Sequence, residues 1–211
     1  MGESGLRASK KAETRARIAE TAAMLFAARG YDDVTVIDVA RAAEVAEKTV
    51  YNYFPTKESL ALDRDEEEIT RLIGLVRHRP PGVTPARAIR ADVLTLVGSI
   101  GTIPCDQALG TIGALAALNP GVRRSCLEMF DRHAAALADE LVAELRRRPS
   151  AALCARIRAY ARQIAWVYMT IVDESGRRLA DGADPRAVAR QIRPIVVSVL
   201  DDLERVTPPT R

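Results

Sequence analysis

The chain has 211 residues, 48% hydrophobic and 28% charged, with 31 Lys and Arg against 28 Asp and Glu for a net charge of +3. That length and composition suit one or two globular domains that bury a core without disulfides, and they exclude a disordered or fibrous chain. No uncharged apolar run of about eighteen residues occurs and residues 1–20 lack the apolar stretch of a secretory signal, so a cytoplasmic protein with no membrane partner is expected.

Residues 1–13 read as a flexible basic arm. Helical periodicity starts near Thr14, with Ile18, Ala22, Leu25, Phe26 and Arg29 at spacings near three and four, and stops at Gly30. Thr35 followed three residues on by Asp38 is a reciprocal capping box that opens a second helix, whose inward stripe is Val36, Val39, Ala40 and Ala43. A third helix begins near Ala46 or Glu47, turns Val50 and Phe54 inward, and ends before Pro55. Lys57 opens the next. Three short helices over 14–54 with a tight connection at Ala43, Glu44 and Val45 make a helix-turn-helix with a preceding support helix.

The rest of the chain is punctuated by helix starts. Thr84-Pro85, Asn119-Pro120 and Asp184-Pro185 each place a capping residue before a proline at the first helical position, and Ser150 can cap another helix. Residues from His78 to Val83 form a loop. Three apolar stripes follow: Leu127, Phe130, Ala134, Leu137, Leu141 and Leu145; then Leu153, Ile157, Tyr160, Ile164, Val167 and Ile171; then Val188, Ile192, Ile195, Val199, Leu203 and Val206. Pro194 is expected to bend the last helix or mark a packing feature. No strand pair or repeat is evident, so the fold is expected to be all α. The last two stripes suit a four-helix bundle between two subunits, with Ile157, Ile164, Ile171, Ile192, Ile195, Val199 and Leu203 at the homodimer interface.

Residues 1–60 hold nine Lys and Arg against nine Asp and Glu, so any affinity for nucleic acid must come from local placement. Arg7, Lys10, Lys11, Arg15 and Arg17 cluster against Glu13 alone, a group suited to phosphates or a minor groove. With Val50 and Phe54 inward, the third helix presents Glu47, Lys48, Thr49, Tyr51 and Asn52 on its other sides. In a major groove Lys48 donates to guanine, Asn52 pairs with adenine and Glu47 accepts from cytosine. Thr49, Tyr51 and Tyr53 suit sugar-phosphate contacts, and Lys57 and Thr35 suit phosphate contacts near helix starts.

The runs Gly30-Tyr31-Asp32-Asp33-Val34-Thr35-Val36-Ile37-Asp38-Val39-Ala40 and Thr49-Val50-Tyr51-Asn52-Tyr53-Phe54-Pro55-Thr56-Lys57-Glu58-Ser59-Leu60 resemble, in order and spacing, the two halves of the Tet-repressor-like regulator signature. The resemblance covers residues 14–60. It implies a cytoplasmic dimeric repressor with a DNA-binding domain over 14–60 and a larger effector-binding and dimerisation domain over 61–211. It also implies DNA contacts at Thr35, Ile37, Ala46, Glu47, Lys48, Thr49, Tyr51, Tyr53 and Lys57. Members often carry Gly-Val-Ser where this chain has Glu44-Val45-Ala46. Losing the glycine of a tight turn and the serine cap costs about 1–2 kcal/mol locally, which packing by Val45 and Val50 offsets.

By the same resemblance, the C-terminal domain receives a small, largely apolar effector between helices. Met129, Phe130, His133, Trp166, Tyr168 and Met169 are the expected walls, with His133 or a tyrosine hydroxyl orienting the ligand. The acidic run Asp63, Asp65, Glu66, Glu67 and Glu68, interrupted by Arg64, reads as a solvated helix face, and Arg146, Arg147 and Arg148 as favourable charge at a helix end. The three cysteines, Cys105, Cys126 and Cys154, and the two histidines, His78 and His133, lack metal-ligand spacing, so no metal or cofactor is expected. Without a glycine-rich phosphate loop, an HExxH site or a nucleophile elbow, no catalytic residues are assigned. Cys126 and His133 share a helix face but do not by themselves make a nucleophile. The alternatives to a repressor are an activator of the same fold and a helical ligand-binding protein without DNA function.

Overall fold

The computed structural model describes residues 3–62, 65–145 and 147–206. Arg7, Asp63, Arg64, Asp65, Glu66 and Arg146, which the sequence reading singles out, lie outside the residues whose side chains are described. All regular structure among the described residues is helical.

Helix α1 spans Glu3–Arg29 and so starts well before Thr14. Residues 8–14 contain no proline and are rich in Ala, Lys and Glu, which favour helix, and the Thr14 hydroxyl donates to the Lys10 carbonyl at 2.9 Å. This turn of helix has no apolar stripe, so periodicity does not reveal it. Gly30, at φ +86°, takes the left-handed conformation that closes α1.

Helices α2 (Val36–Ala42), α3 (Glu47–Tyr53) and α4 (Lys57–Ala61) follow within a few residues of one another. The capping box of α2 forms as expected: the Asp38 amide donates to Thr35 Oγ1 at 3.1 Å, and the Thr35 amide donates to Asp38 Oδ2 at 2.9 Å. The Thr35 hydroxyl, donating to Asp38 Oδ2 at 2.6 Å, and then the Thr35 amide lower the pKa of the Asp38 carboxyl. Ile18, Ala22 and Phe26 of α1 meet Val39, Ala40, Val50 and Phe54 in one buried cluster. That packing sets the α2–α3 pair against its support helix.

The larger part comprises α5 (Asp65–Arg77), α6 (Pro85–Ile100), a 3₁₀ turn (Cys105–Gly110), α7 (Ile112–Leu118), α8 (Pro120–Ala143), α9 (Ala151–Ala180) and α10 (Pro185–Arg205). Thr84, Asn119, Ser150 and Asp184 all accept backbone N–H groups at the helix starts expected of them. Helix α9 packs against α7, α8 and α10, while Arg90 ties α6 to Asp201 and Glu204 of α10 at 2.7 and 2.9 Å.

Two stripes are corrected by the packing. On α8, Phe130, Ala134, Leu137 and Leu141 are buried but Leu127 is exposed. On α10 the buried line is Val188, Ile192, Val196, Leu200 and Leu203, three steps of four residues and one of three that keep to one side of the helix. Ile195 falls beside that line and turns outward, Val199 is half-buried against the core, and Pro194 sits within the helix on its exposed side. Ile157, Ile164, Ile171, Ile192 and Leu203 are at most 5% exposed, so they fill the chain's own core and offer nothing to a second copy. Of the residues assigned to the dimer interface, only Ile195 and Val199 reach the surface.

Candidate nucleic-acid interface and the cavity behind it

The turn between α2 and α3 runs through Ala43, Glu44 and Val45. The Val45 amide donates to the Ala40 carbonyl at 2.9 Å, and Glu44 takes φ +53°, a left-handed conformation unusual for a residue with a side chain. Ala46 then caps α3 with extended backbone and no side-chain hydrogen bond. The two departures from the Gly-Val-Ser pattern thus fall on the strained residue and on the uncapped helix start.

With Val50 and Phe54 buried, α3 exposes Ala46, Glu47, Lys48, Tyr51 and Asn52, and leaves Thr49 and Tyr53 half-buried. Thr35 and Ile37 lie exposed at the start of α2, and Ile37 is an unusually open isoleucine at 50%. Thr35, Ile37 and the outer residues of α3 are thus open to solvent. Lys10, Lys11 and Arg17 are exposed on α1.

Two basic residues assigned to DNA are engaged inside the protein. The Arg15 guanidinium sits 4.7 Å over the Phe54 ring and donates to the Tyr53 carbonyl at 3.3 Å, which clamps the end of α3 to α1. Lys57 donates to the Tyr31 carbonyl at 2.5 Å, with its ammonium 4.1 Å from the Tyr31 ring centre. Partial burial pushes the Lys57 ammonium below its ordinary value, against the opposing pull of Asp32 and Glu58. Both side chains hold the unit together whatever else they touch.

A cavity of about 520 Å³ lies behind this unit, a size typical of small-molecule sites. Helix α1 supplies Glu20, Ala23 and Met24; α6 supplies Leu96, Ser99 and Ile100; α9 supplies Tyr168, Ile171, Val172, Ser175 and Leu179. Met129 and Phe130 of α8 complete one side, and Gln107 to Gly113 another. Three of the six expected wall residues, Met129, Phe130 and Tyr168, are there. His133 is buried and edge-on to Phe130 at 5.8 Å, outside the lining. Met169 is buried in the core and Trp166 is 51% exposed on the outer face. The helical step explains both: Trp166 and Met169 lie out of register with the 168, 171, 172, 175, 179 stripe.

The Tyr168 hydroxyl does not point a free proton at a ligand. It donates to Asp92 Oδ2 at 3.0 Å, and Asp92 is also paired with Arg71. Burial, then the Asp92 charge, raises the Tyr168 pKa and keeps it neutral. Sequence reasoning missed the α1, α6 and α7 walls. Leu96, Ile100 and Ile103 have helical spacing, yet that spacing is the same for a cavity wall as for solid core.

Burial pushes the Cys126 thiol up to about 12, so it is an inert core residue rather than a nucleophile. Among the described residues, no group of three or more His, Cys, Asp or Glu side chains is placed to hold a metal ion, and no helix is long and apolar enough to cross a membrane.

A support helix, a tight two-helix turn and a cavity among the helices of the larger part define a helix-turn-helix protein with a cavity beside it. Residues 18–63 match the model of the bacterial regulatory proteins of the tetR family. The HTH-type transcriptional regulator TcmR of Streptomyces glaucescens is 31% identical over 96 residues, 46% of this chain and 42% of that protein. The HTH-type transcriptional repressor KstR of Rhodococcus jostii is 34% identical over 85 residues, 40% of each chain. The match therefore spans less than half the length of these relatives. Among solved structures, FadR of Thermus thermophilus, a TetR-family transcriptional repressor, is similar with TM-score 0.48 and 22% identity, over 92% of this chain and 96% of that one. Residues 18–63 of the chain thus resemble the N-terminal part of the bacterial regulatory proteins of the tetR family.

Proposed function

We propose that the protein is a transcriptional repressor that binds a palindromic operator as a homodimer and is released by a small, largely apolar effector. The observation that carries this reading is that α1 serves both units. Its inner residues support α3, and its Glu20, Ala23 and Met24 wall the cavity. Gly110 makes the contact intimate, because a Cβ there would meet the Ala23 carbonyl oxygen at 2.2 Å. A ligand that moves the 3₁₀ turn therefore acts directly on the reader's support helix.

A second link runs through Asn119. Its Oδ1 caps α8 by accepting from Gly121 and Val122, while its Nδ2 donates to Asp32 in the turn before α2 at 3.0 Å. Helix α4, the first after Pro55, packs against both α1 and α8 and forms a third. Met129 and Phe130 on α8 extend that line to the cavity.

On DNA, Lys48, Asn52 and Glu47 read bases from the exposed side of α3, and Thr35, Ile37, Ala46, Thr49, Tyr51 and Tyr53 hold the register. Lys10, Lys11 and Arg17 reach the backbone from α1. In the dimer, the outer faces of α9 and α10 meet around Trp166, Ile195 and Val199, and place the two recognition helices about 34–36 Å apart. An effector that favours another packing changes that separation and lowers operator affinity.

The test is selection of genomic or randomised duplex DNA by the purified protein, followed by affinity measurements across salt concentrations. Recovery of a palindromic site occupied by two copies supports the reading. If only weak, sequence-independent binding survives after the protein is unfolded and refolded to strip bound ligand, the repressor reading fails.

A further inference from the structure

A buried polar atom is left over where the reader meets α8. Tyr31 is 8% exposed, and its sealed hydroxyl finds no hydrogen-bond partner among the described residues. A native donor in that position calls for an explanation, because burying it unpaired costs free energy. The residue itself is held fast. Its ring centre lies 5.0 Å from that of Phe26, and Lys57 holds both its carbonyl and its ring face. Glu58 of α4 is the neighbouring acceptor. After burial, its charge is what raises the Tyr31 pKa and keeps the proton on the hydroxyl, yet it stops short of hydrogen-bonding geometry. The carboxylate rests against α8 instead: a Cβ on Gly121, in the first turn of α8, would lie 3.5 Å from Glu58 Oε1. The positive end of that long helix favours a carboxylate there, although the Gly121 and Val122 amides themselves donate to Asn119.

We propose that Glu58 is a two-position latch between the reader and the larger helical part, resting against the first turn of α8 in the present arrangement and hydrogen-bonded to the Tyr31 hydroxyl when that turn withdraws. The Glu58 side chain is half-buried, and α4 packs against both α1 and α8, so a shift of α8 reaches it directly. Met129 and Phe130 place the same helix in the cavity wall. Once Glu58 swings away from Gly121, it accepts a charge-assisted hydrogen bond from Tyr31, which satisfies the orphaned donor and favours the withdrawn arrangement. The latch thus biases an equilibrium between two states. The inference rests on the repressor reading, with the present arrangement as the one that binds the operator.

Operator titration and thermal unfolding of the full-length protein test the latch without any ligand. Gly121→Leu builds a side chain beside Glu58 and should drive it onto Tyr31, weakening operator binding about tenfold, the scale of one hydrogen bond to a charged group. Its Cβ also presses on Asn119 Oδ1 at 3.0 Å, a loss of capping that no change at Tyr31 can repair. Adding Tyr31→Phe should therefore restore most of the affinity only if the second position is the cause. Tyr31→Phe alone should keep operator binding and raise the unfolding midpoint, since it deletes an unpaired donor and breaks no bond. Unchanged affinity in Gly121→Leu, failure of Tyr31→Phe to rescue it, or a lower midpoint for Tyr31→Phe overturns the latch but leaves the repressor reading intact. If Gly121→Leu does not fold, the Tyr31→Phe midpoint decides, a rise supporting the latch and a fall overturning it. A wild type that selects no operator overturns both.

Discussion

Replacing Glu44 by glycine should stabilise the protein, although the substitution removes a side chain and adds no contact. Glu44 stands at φ +53° in the α2–α3 turn. A left-handed conformation costs a residue with a Cβ about 1–2 kcal/mol. Glycine relieves that strain but carries more entropy in the unfolded chain, about 0.5–1 kcal/mol, so the net gain is about 0.5–1 kcal/mol. Ala46→Ser acts on the next defect. Ala46 already has the extended φ of −69° and ψ of 146° that an N-cap needs, so a serine hydroxyl can accept from the amide of Lys48 or Thr49 for about 1 kcal/mol. Together the two changes should give about 1.5–2 kcal/mol if the neighbouring sites do not couple, which at about 2–4 °C per kcal/mol raises Tm by about 3–8 °C. Thermal unfolding of the wild type, both single variants and the double variant measures this. Glu44→Gln is the necessary control, since it removes the charge and keeps the Cβ. If Glu44→Gln stabilises as much as Glu44→Gly, the gain is electrostatic and the backbone argument is wrong.

Gly176→Ala should destabilise the protein by about 1–3 kcal/mol or more, because its Cβ would lie 2.1 Å from the Gly113 carbonyl oxygen where α9 crosses α7; an unchanged unfolding midpoint contradicts that crossing. Asn119→Ala should leave ligand binding to the cavity near normal but weaken ligand-induced release from DNA, as read by paired calorimetry and operator titration. Full release would show that the Asp32 contact is not part of the coupling. Trp166→Glu should convert dimers to monomers in sedimentation equilibrium, and an intact dimer would exclude the outer face of α9 from the interface. Acid should loosen α2: the folded Asp38 pKa lies below its unfolded value, so its stabilisation is complete above the ordinary aspartate range and is lost as pH falls through the lowered folded value. Asp38→Asn should flatten that part of the stability profile, and an unaltered profile would assign acid sensitivity to other carboxylates.

The helix starts were legible because each rests on local chemistry. A capping side chain and the proline after it act within a single turn, so Thr84, Asn119 and Asp184 declare their roles without reference to the fold. The recognition helix is readable for a related reason. It is short, it has only Val50 to bury within its span, and fixing that side fixes the outward side. Arg15 and Lys57 show where this logic stops. Both are basic residues near the reader, but their nearest partners are aromatic rings and carbonyls brought in from distant parts of the chain. A list of charges treats such a clamp and a phosphate contact alike.

The cavity illustrates a deeper limit. Ile171 is apolar and sits in the right stripe for a helix interface, for solid core and for a cavity wall, and only the placement of α6 and α7 opposite α9 decides among them. Helix α1 was harder still to assign, because Glu20 and Met24 lie off its apolar stripe and remain solvent-exposed while they line the cavity. Their position at the cavity follows from the close approach that Gly110 permits. That approach also gives α1 its dual character: one helix cannot serve as a wall of the chamber and as the floor of the reader without making the two units mechanically dependent. On the repressor reading, coupling needs no long relay, since displacement of a single turn against Ala23 reaches the helix on which α3 is packed.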